Sequence, residues 1–177
     1  MSPTEHLEIE RKYRLRAAPS AVTLAAHGAV ALRIEQTYLL DDIDRPAGGG
    51  NRRLRRTELP DGRVEHRLTE KRRVGPFSFH ERETIVDAAE YARLLAEADP
   101  VRRTIRKVRH AVPFGDRTLE IDVFEEPADL VVLEIELGSV DEVVEPPAWL
   151  GERREVTGDP AYFNARLSRR DAAVPPW

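Results

Sequence analysis

The 177-residue chain contains no cysteine, which excludes disulfides, thiolate metal sites and cysteine nucleophiles. No stretch approaches the roughly 18 apolar residues needed to cross a membrane. The first twenty residues are charged and lack the apolar core of a secretion signal. The five histidines, His6, His27, His66, His80 and His110, show no metal-ligand spacing. Gly48 to Gly50 is not a phosphate loop, because no Lys-Ser/Thr pair or helix start follows it. Arg52 to Arg56 is a basic run, but no aromatic platform accompanies it and the net charge is −4, so nucleic acid and anionic lipid are not expected partners. A single cytoplasmic domain over residues 1–170, with 171–177 as a flexible Pro-rich tail, is the expectation. The sequence does not fix the oligomeric state, a homodimer being the assembly left open.

Charge is abundant, at 34% of residues, and it is segregated. Arg102, Arg103, Arg106, Lys107 and Arg109 crowd positions 101–110 without an acid, whereas positions 120–145 hold ten acids and no Lys or Arg. Both signs kept apart in one compact chain suit a metal-bound polyanion.

Alternation of apolar and polar residues marks half-buried strands. It predicts strands over 7–15, 34–40, 52–58, 64–73, 77–86, 103–112, 117–124 and 130–137. The 41–51 segment, with Pro46 and three glycines, reads as a loop, and Pro60-Asp61-Gly62 as a tight turn. Asp87 caps a helix over 87–98. A weaker helix is expected over 19–31, and a closing one over 159–168, with Asp159 as N-cap and Pro160 at its first position. Pro146 to Gly151 reads as loop. The sum is α+β, dominated by antiparallel hairpins, and eight strands are enough to close a barrel with a usable interior.

Residues two apart on a strand share a face. Glu8, Glu10 and Lys12 therefore line one side of the first strand, with Leu7, Ile9 and Tyr13 on the other. Glu81 with Glu83, Glu120 with Asp122, and Glu134 with Glu136 repeat the acidic pairing. Arg53 with Arg55, Thr69 with Lys71, and Lys107 with Arg109 repeat it in bases. One such face ordinarily meets water. Four acidic pairs carry a repulsive cost that solvation alone does not explain. Convergence inside a closed sheet explains it, since carboxylates are hard ligands for Mg²⁺ or Mn²⁺ and Arg and Lys suit phosphate.

The Glu8-x-Glu10-x-Lys12 triplet resembles the signature of the CYTH, or triphosphate tunnel metalloenzyme, family. The resemblance continues in order through Gln36-Thr37-Tyr38-Leu39, Arg53-x-Arg55, Leu68-Thr69-x-Lys71, Glu81-x-Glu83, Lys107-x-Arg109, Glu120-x-Asp122 and Glu134-x-Glu136. It ends with Glu155 to Asp159 and Tyr162-x-Asn164-x-x-Leu167, so nearly the whole chain is covered. It implies an antiparallel eight-stranded closed β-barrel holding a triphosphate, with helices packed outside. Glu8, Glu10, Asp122, Glu134 and Glu136 would then be metal ligands for Mg²⁺ or Mn²⁺. Lys12, Arg53, Arg55, Lys71, Lys107 and Arg109 would bind phosphate oxygens, Lys12 against the reacting phosphate. Glu81 and Glu83 would support the metals or orient water. One position departs: many relatives have Arg two residues before the first glutamate of the fifth-strand pair, and here that residue is Phe79. Arg82 and Arg103 are the cations that could compensate. Tyr38 reads equally as a tunnel residue or a packed one, and Tyr162 and Asn164 as packing or capping residues.

The expected activity is hydrolysis of the terminal phosphoanhydride of inorganic triphosphate, in resemblance to small bacterial-type tripolyphosphatases. An adenylate cyclase uses nearly the same charged residues and is the first alternative. Thiamine or nucleoside triphosphatase follows, and a non-catalytic polyphosphate- or nucleotide-binding module comes last, because every acidic position is present.

Overall fold

The computed structural model describes residues 4–40, 51–75 and 78–177. Residues 41–50 of the expected loop, and Phe77 at the expected start of the fifth strand, lie outside the described residues. The alternating segments all form strands: β1 (Thr4–Leu15), β2 (Val30–Tyr38), β3 (Asn51–Glu58), β4 (Val64–Arg73), β5 (Ser78–Val86), β6 (Ile105–Phe114), β7 (Arg117–Glu126) and β8 (Val131–Glu136). Each pairs antiparallel with its neighbours in the order β5-β4-β3-β2-β6-β7-β8-β1, and β1 pairs in turn with β5. The sheet is therefore a closed eight-stranded barrel, which leaves these strands no free edge. A three-residue strand that the sequence did not announce, β9 (Arg153–Glu155), extends along β1 beyond the end of β5.

Register decides which side chains meet, because directly opposed residues in an antiparallel ladder share a face. Lys12 opposes Glu134, Glu134 opposes Glu120, and Asp122 opposes Arg109. Gln36 opposes Arg55, Arg53 opposes Thr69, Thr69 opposes Glu83, and Lys71 opposes Glu81. Every charged pair expected from the sequence thus lies on the inner face of one barrel.

The outer face holds the apolar partners. Tyr13, Leu15, Leu119, Ile121, Leu133 and Ile135 pack with Leu24 and Leu150. Leu24 belongs to α1 (Ala21–Ala26), and Leu150 to a 3-10 turn, Ala148–Leu150, within the segment expected as loop. Leu39 and Leu54 pack with Tyr91 and Leu94 of α2 (Ala88–Leu95), whose N-cap Asp87 accepts from the Glu90 backbone N–H. Each such buried Leu or Ile contributes about 1.5–3 kcal/mol, which offsets the cost of charges placed inside.

Three elements differ from expectation. α1 ends at Ala26 rather than 31, because Gly28 turns with φ +70° and β2 begins at Val30. The closing helix is broken in two: a 3-10 turn at Pro160–Tyr162, capped by Asp159 as expected, then α3 (Asn164–Leu167). Phe163 between them is extended, with ψ 132°. Residues 171–177, expected as a free tail, lie against the barrel. Arg14 donates to the Pro175 carbonyl, Arg154 to that of Pro176, and Arg16 sits 5.2 Å from the Trp177 ring centroid.

The two C-terminal pieces close one end of the barrel. Tyr162 and Leu167 pack with Ile105, Phe124 and Val132. Val132 opposes Asp122, and Phe124 opposes Lys107, so this apolar cluster lies inside the barrel and continues the charged rows as a plug. Arg102 holds the plug through the Ala165 carbonyl and Ser168 Oγ, and Arg103 through the carbonyls of 169, 170 and 172.

Candidate active site

The inner faces enclose a cavity of about 400 Å³. Its charged lining is Lys12, Arg53, Arg55, Lys71, Arg73, Lys107 and Arg109 against Glu8, Glu10, Glu120 and Glu134. Positive side chains outnumber negative ones, so the cavity suits a polyanion. Ile34, Gln36, Tyr38 and Phe79 complete the strand lining, while Pro160, Phe163, Asn164 and Ala165 form its floor at the plugged end. Tyr38 is thus both packed and part of the wall, and its hydroxyl accepts from Gln36 Nε2 at 2.9 Å.

Every buried carboxylate sits on a cation. Lys12 Nζ is 2.8 Å from Glu134 Oε1 and 3.3 Å from Glu10 Oε1. Lys71 pairs with Glu8, and its ammonium and the Arg53 guanidinium both lie 3.5 Å from Glu81 Oε2. Arg55 lies 3.5 Å from Glu83, which also accepts from Arg67 at 2.9 Å and from Thr69 Oγ1 at 3.1 Å. Asp122 is fully buried. It accepts two bonds of 2.7 Å from Arg109 and one from Lys107. Arg109 bridges onward to Glu120 and, at 2.7 Å, to Glu134.

Protonation follows from these contacts. Burial opposes the Lys12 charge, but Glu10 and Glu134 outweigh it, and its pKa is raised. Arg53 and Arg109 are raised against burial by Glu81 and by Asp122 with Glu120, respectively. Burial lowers Lys107 despite Asp122, with Arg109 adding to the shift, and burial with Arg53 lowers Arg55. Among the acids, burial would raise Glu134, but Lys12 and Arg109 hold it well below its ordinary value. Glu83 is likewise lowered against burial, by Arg55 and Arg67. Glu120 is raised, chiefly by burial, with Glu134 and Asp122 adding to it.

The structure brings the predicted residues to one interior but not to equal positions. Glu8, Glu10 and Glu134 reach the cavity surface, whereas Asp122 lies beneath Lys107 and Arg109. Glu136 opposes Glu10 yet is exposed at the unplugged end, where it lines a second depression with Glu120 and Thr118. Among the described residues, no three His, Asp or Glu side chains converge closely enough to hold a metal ion.

Neither cation expected to compensate for Phe79 does so. Arg82 is exposed and pairs with Glu70, and Arg103 holds the plug. Arg73 is the cation that sequence reasoning missed. It opposes Phe79 in register and lines the cavity, two residues beyond Lys71 on the same face. That spacing was its signal, concealed within the run Lys71-Arg72-Arg73.

No family model matches the chain. Over 64 residues it is 45% identical to the inorganic triphosphatase of Acetivibrio thermocellus. That match covers 36% of this chain and 40% of the relative, less than half the relative's length. The crystal structure of the inorganic triphosphatase NE1496 superposes with a TM-score of 0.58 at 28% identity, over 96% of this chain and all of the other. The PH1012 protein of Pyrococcus horikoshii shares the fold alone, with a TM-score of 0.50 at 20% identity over 76% of this chain and 80% of its own. The chain thus has the closed eight-stranded barrel of the triphosphate-tunnel fold, which it shares with the NE1496 triphosphatase. Its tunnel is blind, being stopped at one end by Phe163 and its neighbours, and each carboxylate of its lining is paired with a cation. Among the described residues, no helix is long and apolar enough to cross a membrane.

Proposed function

We propose that the protein hydrolyses the terminal phosphoanhydride of inorganic triphosphate, with Mg²⁺ or Mn²⁺ as cofactor. One observation carries this reading: cations and carboxylates from six of the eight strands line one blind cavity. A linear polyanion matches that distribution, and the names of the two triphosphatase relatives agree with it.

The donor set fits a hard divalent cation in type, since Glu8, Glu10 and Glu134 offer only carboxylate oxygens. They are also neighbours, on β1 and the adjoining β8. These three would hold the metal, with Glu136 at the open end as a further ligand. Asp122, whose oxygens are taken by Lys107 and Arg109, fits better as the anchor of those two cations. When bound, the metal would neutralise charge on phosphate oxygens and lower the pKa of a coordinated water.

The chain's own residues do the rest. Lys12, Arg53, Arg55, Lys71, Lys107 and Arg109 bind phosphate oxygens and stabilise the charge that develops on them. Lys12 is an ammonium in the resting tunnel, where Glu10 and Glu134 raise its pKa, and it stands against the reacting phosphate. Glu83 is held ionised, so it accepts hydrogen bonds and does not donate a proton. Glu81 and Glu83 lie behind Arg53, Lys71 and Arg55 and orient them. The oxygen of a water bonds to the terminal phosphorus and the bond to the bridging oxygen breaks. The products are phosphate and pyrophosphate.

A phosphate-release assay with tripolyphosphate, ATP and thiamine triphosphate, each with Mg²⁺ and Mn²⁺, tests the proposal. Tripolyphosphate should be turned over fastest. Cyclic AMP and pyrophosphate appearing from ATP would replace the proposal with a cyclase, and tight triphosphate binding without turnover would replace it with a binding module.

A further inference from the structure

The plugged end of the tunnel contains two aromatic rings that the sequence places 84 residues apart. Phe79 comes from β5 and Phe163 from the break between the 3-10 turn and α3. Their centroids lie 6.0 Å apart with planes at 82°, an edge-to-face pair. Each ring has cations over it. The Lys71 ammonium is 4.5 Å from the Phe79 centroid, the Arg73 guanidinium is 5.5 Å from that of Phe163, and the Lys12 ammonium is 5.8 Å from the same ring.

Lys12 lies on the inner row of β1, Lys71 and Arg73 on that of β4, and all three line the cavity. A ring serving as a stacking platform for a base needs an open face, whereas these rings meet ammonium and guanidinium groups. Ring quadrupoles attract cations within about 6 Å; Lys12 is buried, whereas Arg73 is exposed and its Nε also donates to the Gly75 carbonyl at 2.8 Å. The extended Phe163 is also the feature that interrupts the closing helix. A continuous helix over 159–168 would turn that side chain away from its present place.

We infer that Phe163, with Phe79, is a positioning residue that holds Arg73 and Lys12 aimed into the tunnel, and that Arg73 is a further phosphate-binding residue. The C-terminal plug is then part of the substrate site as well as a stopper. This rests on the triphosphate reading above and deepens it by assigning the rings to cations and not to a base or other organic group.

Fluorinated phenylalanines at position 163 test the inference, because stepwise fluorination drains the ring quadrupole at nearly constant size. The readout is the Kd of tripolyphosphate, measured by calorimetry without divalent metal, for Phe and for its mono-, di- and trifluoro forms. The Kd should rise stepwise, to about tenfold at the trifluoro form. Phe163→Tyr should bind as the wild type does, and Phe163→Leu like the trifluoro form. In turnover assays the same series should raise KM, through Arg73, and lower kcat, through Lys12. A wild type that binds tripolyphosphate while the fluorinated series and Phe163→Leu match it would overturn the inference and leave the proposed function standing. A wild type that neither binds nor cleaves tripolyphosphate would sink both, and it is told apart by the unsubstituted protein alone.

Discussion

The Lys12 ammonium bridges Glu134, at 2.8 Å, and Glu10, at 3.3 Å. One cation therefore occupies two of the carboxylates proposed for the metal, and Lys71 does the same for Glu8. The resting tunnel is an ion-pair network that triphosphate and metal would divide between them, with phosphate oxygens taking the cations and metal taking the acids.

Lys12→Met should reduce phosphate release from tripolyphosphate about 10²–10³-fold, the range found when a charge-stabilising group is removed from an active site. The loss should fall on kcat, since six other cations still line the cavity. Steady-state kinetics with Mn²⁺ check this, and a variant changed only in KM would make Lys12 an ordinary binding residue.

Burial separates the acids into two classes of variant. Asp122 is fully enclosed and neutralises Lys107 and Arg109, so Asp122→Asn leaves buried charge uncompensated. It should cost about 3–5 kcal/mol in urea unfolding. Glu136 is exposed, so Glu136→Gln should unfold within about 0.5 kcal/mol of wild type. If the two variants unfold alike, the inner network is not what the distances indicate.

Acid should weaken the fold through Glu83 and Glu134. Both are lowered from an ordinary value of 4.5 in the folded protein. The unfolded chain thus takes up protons first, and stability rises with pH through that window. Their contribution is fully present above about pH 4.5 and is lost as the pH falls through their folded values. Glu120, whose pKa is raised, acts in the opposite sense. Urea midpoints from pH 7 down to pH 3.5 should fall, and Glu83→Gln should flatten the fall. An unchanged slope in that variant would contradict the assignment.

Much of this was legible in the sequence, because a period of two carries over unchanged into a barrel: each acidic or basic pair singled out at i, i+2 faces inward. The eight strands, the α2 cap and the turn at Pro60-Asp61-Gly62, where Gly62 has φ +82°, follow from local chemistry. Contributions made by distant segments were not legible. Nothing local marks Phe163 as a cavity residue, and its extended backbone depends on the place between Arg73 and Phe79. Arg73 was hidden by its basic neighbour. β9 has three charged residues and no apolar pattern, so only its pairing with β1 defines it. The tail docks through carbonyls and a tryptophan ring, which composition does not reveal.

Metal affinity in the absence of triphosphate offers the most direct view of the exchange between ion pairs and metal. In the wild type, a metal approaching Glu10 and Glu134 must displace Lys12, whose charge those same carboxylates hold in place. Lys12→Met removes the competitor, leaving Glu10 without its cation and Glu134 with Arg109 alone, on adjoining strands facing one cavity. Mn²⁺ titrated calorimetrically into the triphosphate-free variant should therefore bind more tightly than to wild type, by about tenfold or 1.4 kcal/mol. Bound Mn²⁺ should also raise the thermal midpoint of the variant more than that of the wild type, since at a given concentration a tighter ligand stabilises the folded state more. Glu10→Gln combined with Lys12→Met should abolish the gain, because one of the freed carboxylates is gone. Equal Mn²⁺ affinity in Lys12→Met and wild type would mean that these carboxylates are not the metal's ligands, and the acids of the tunnel would then serve only to hold its cations.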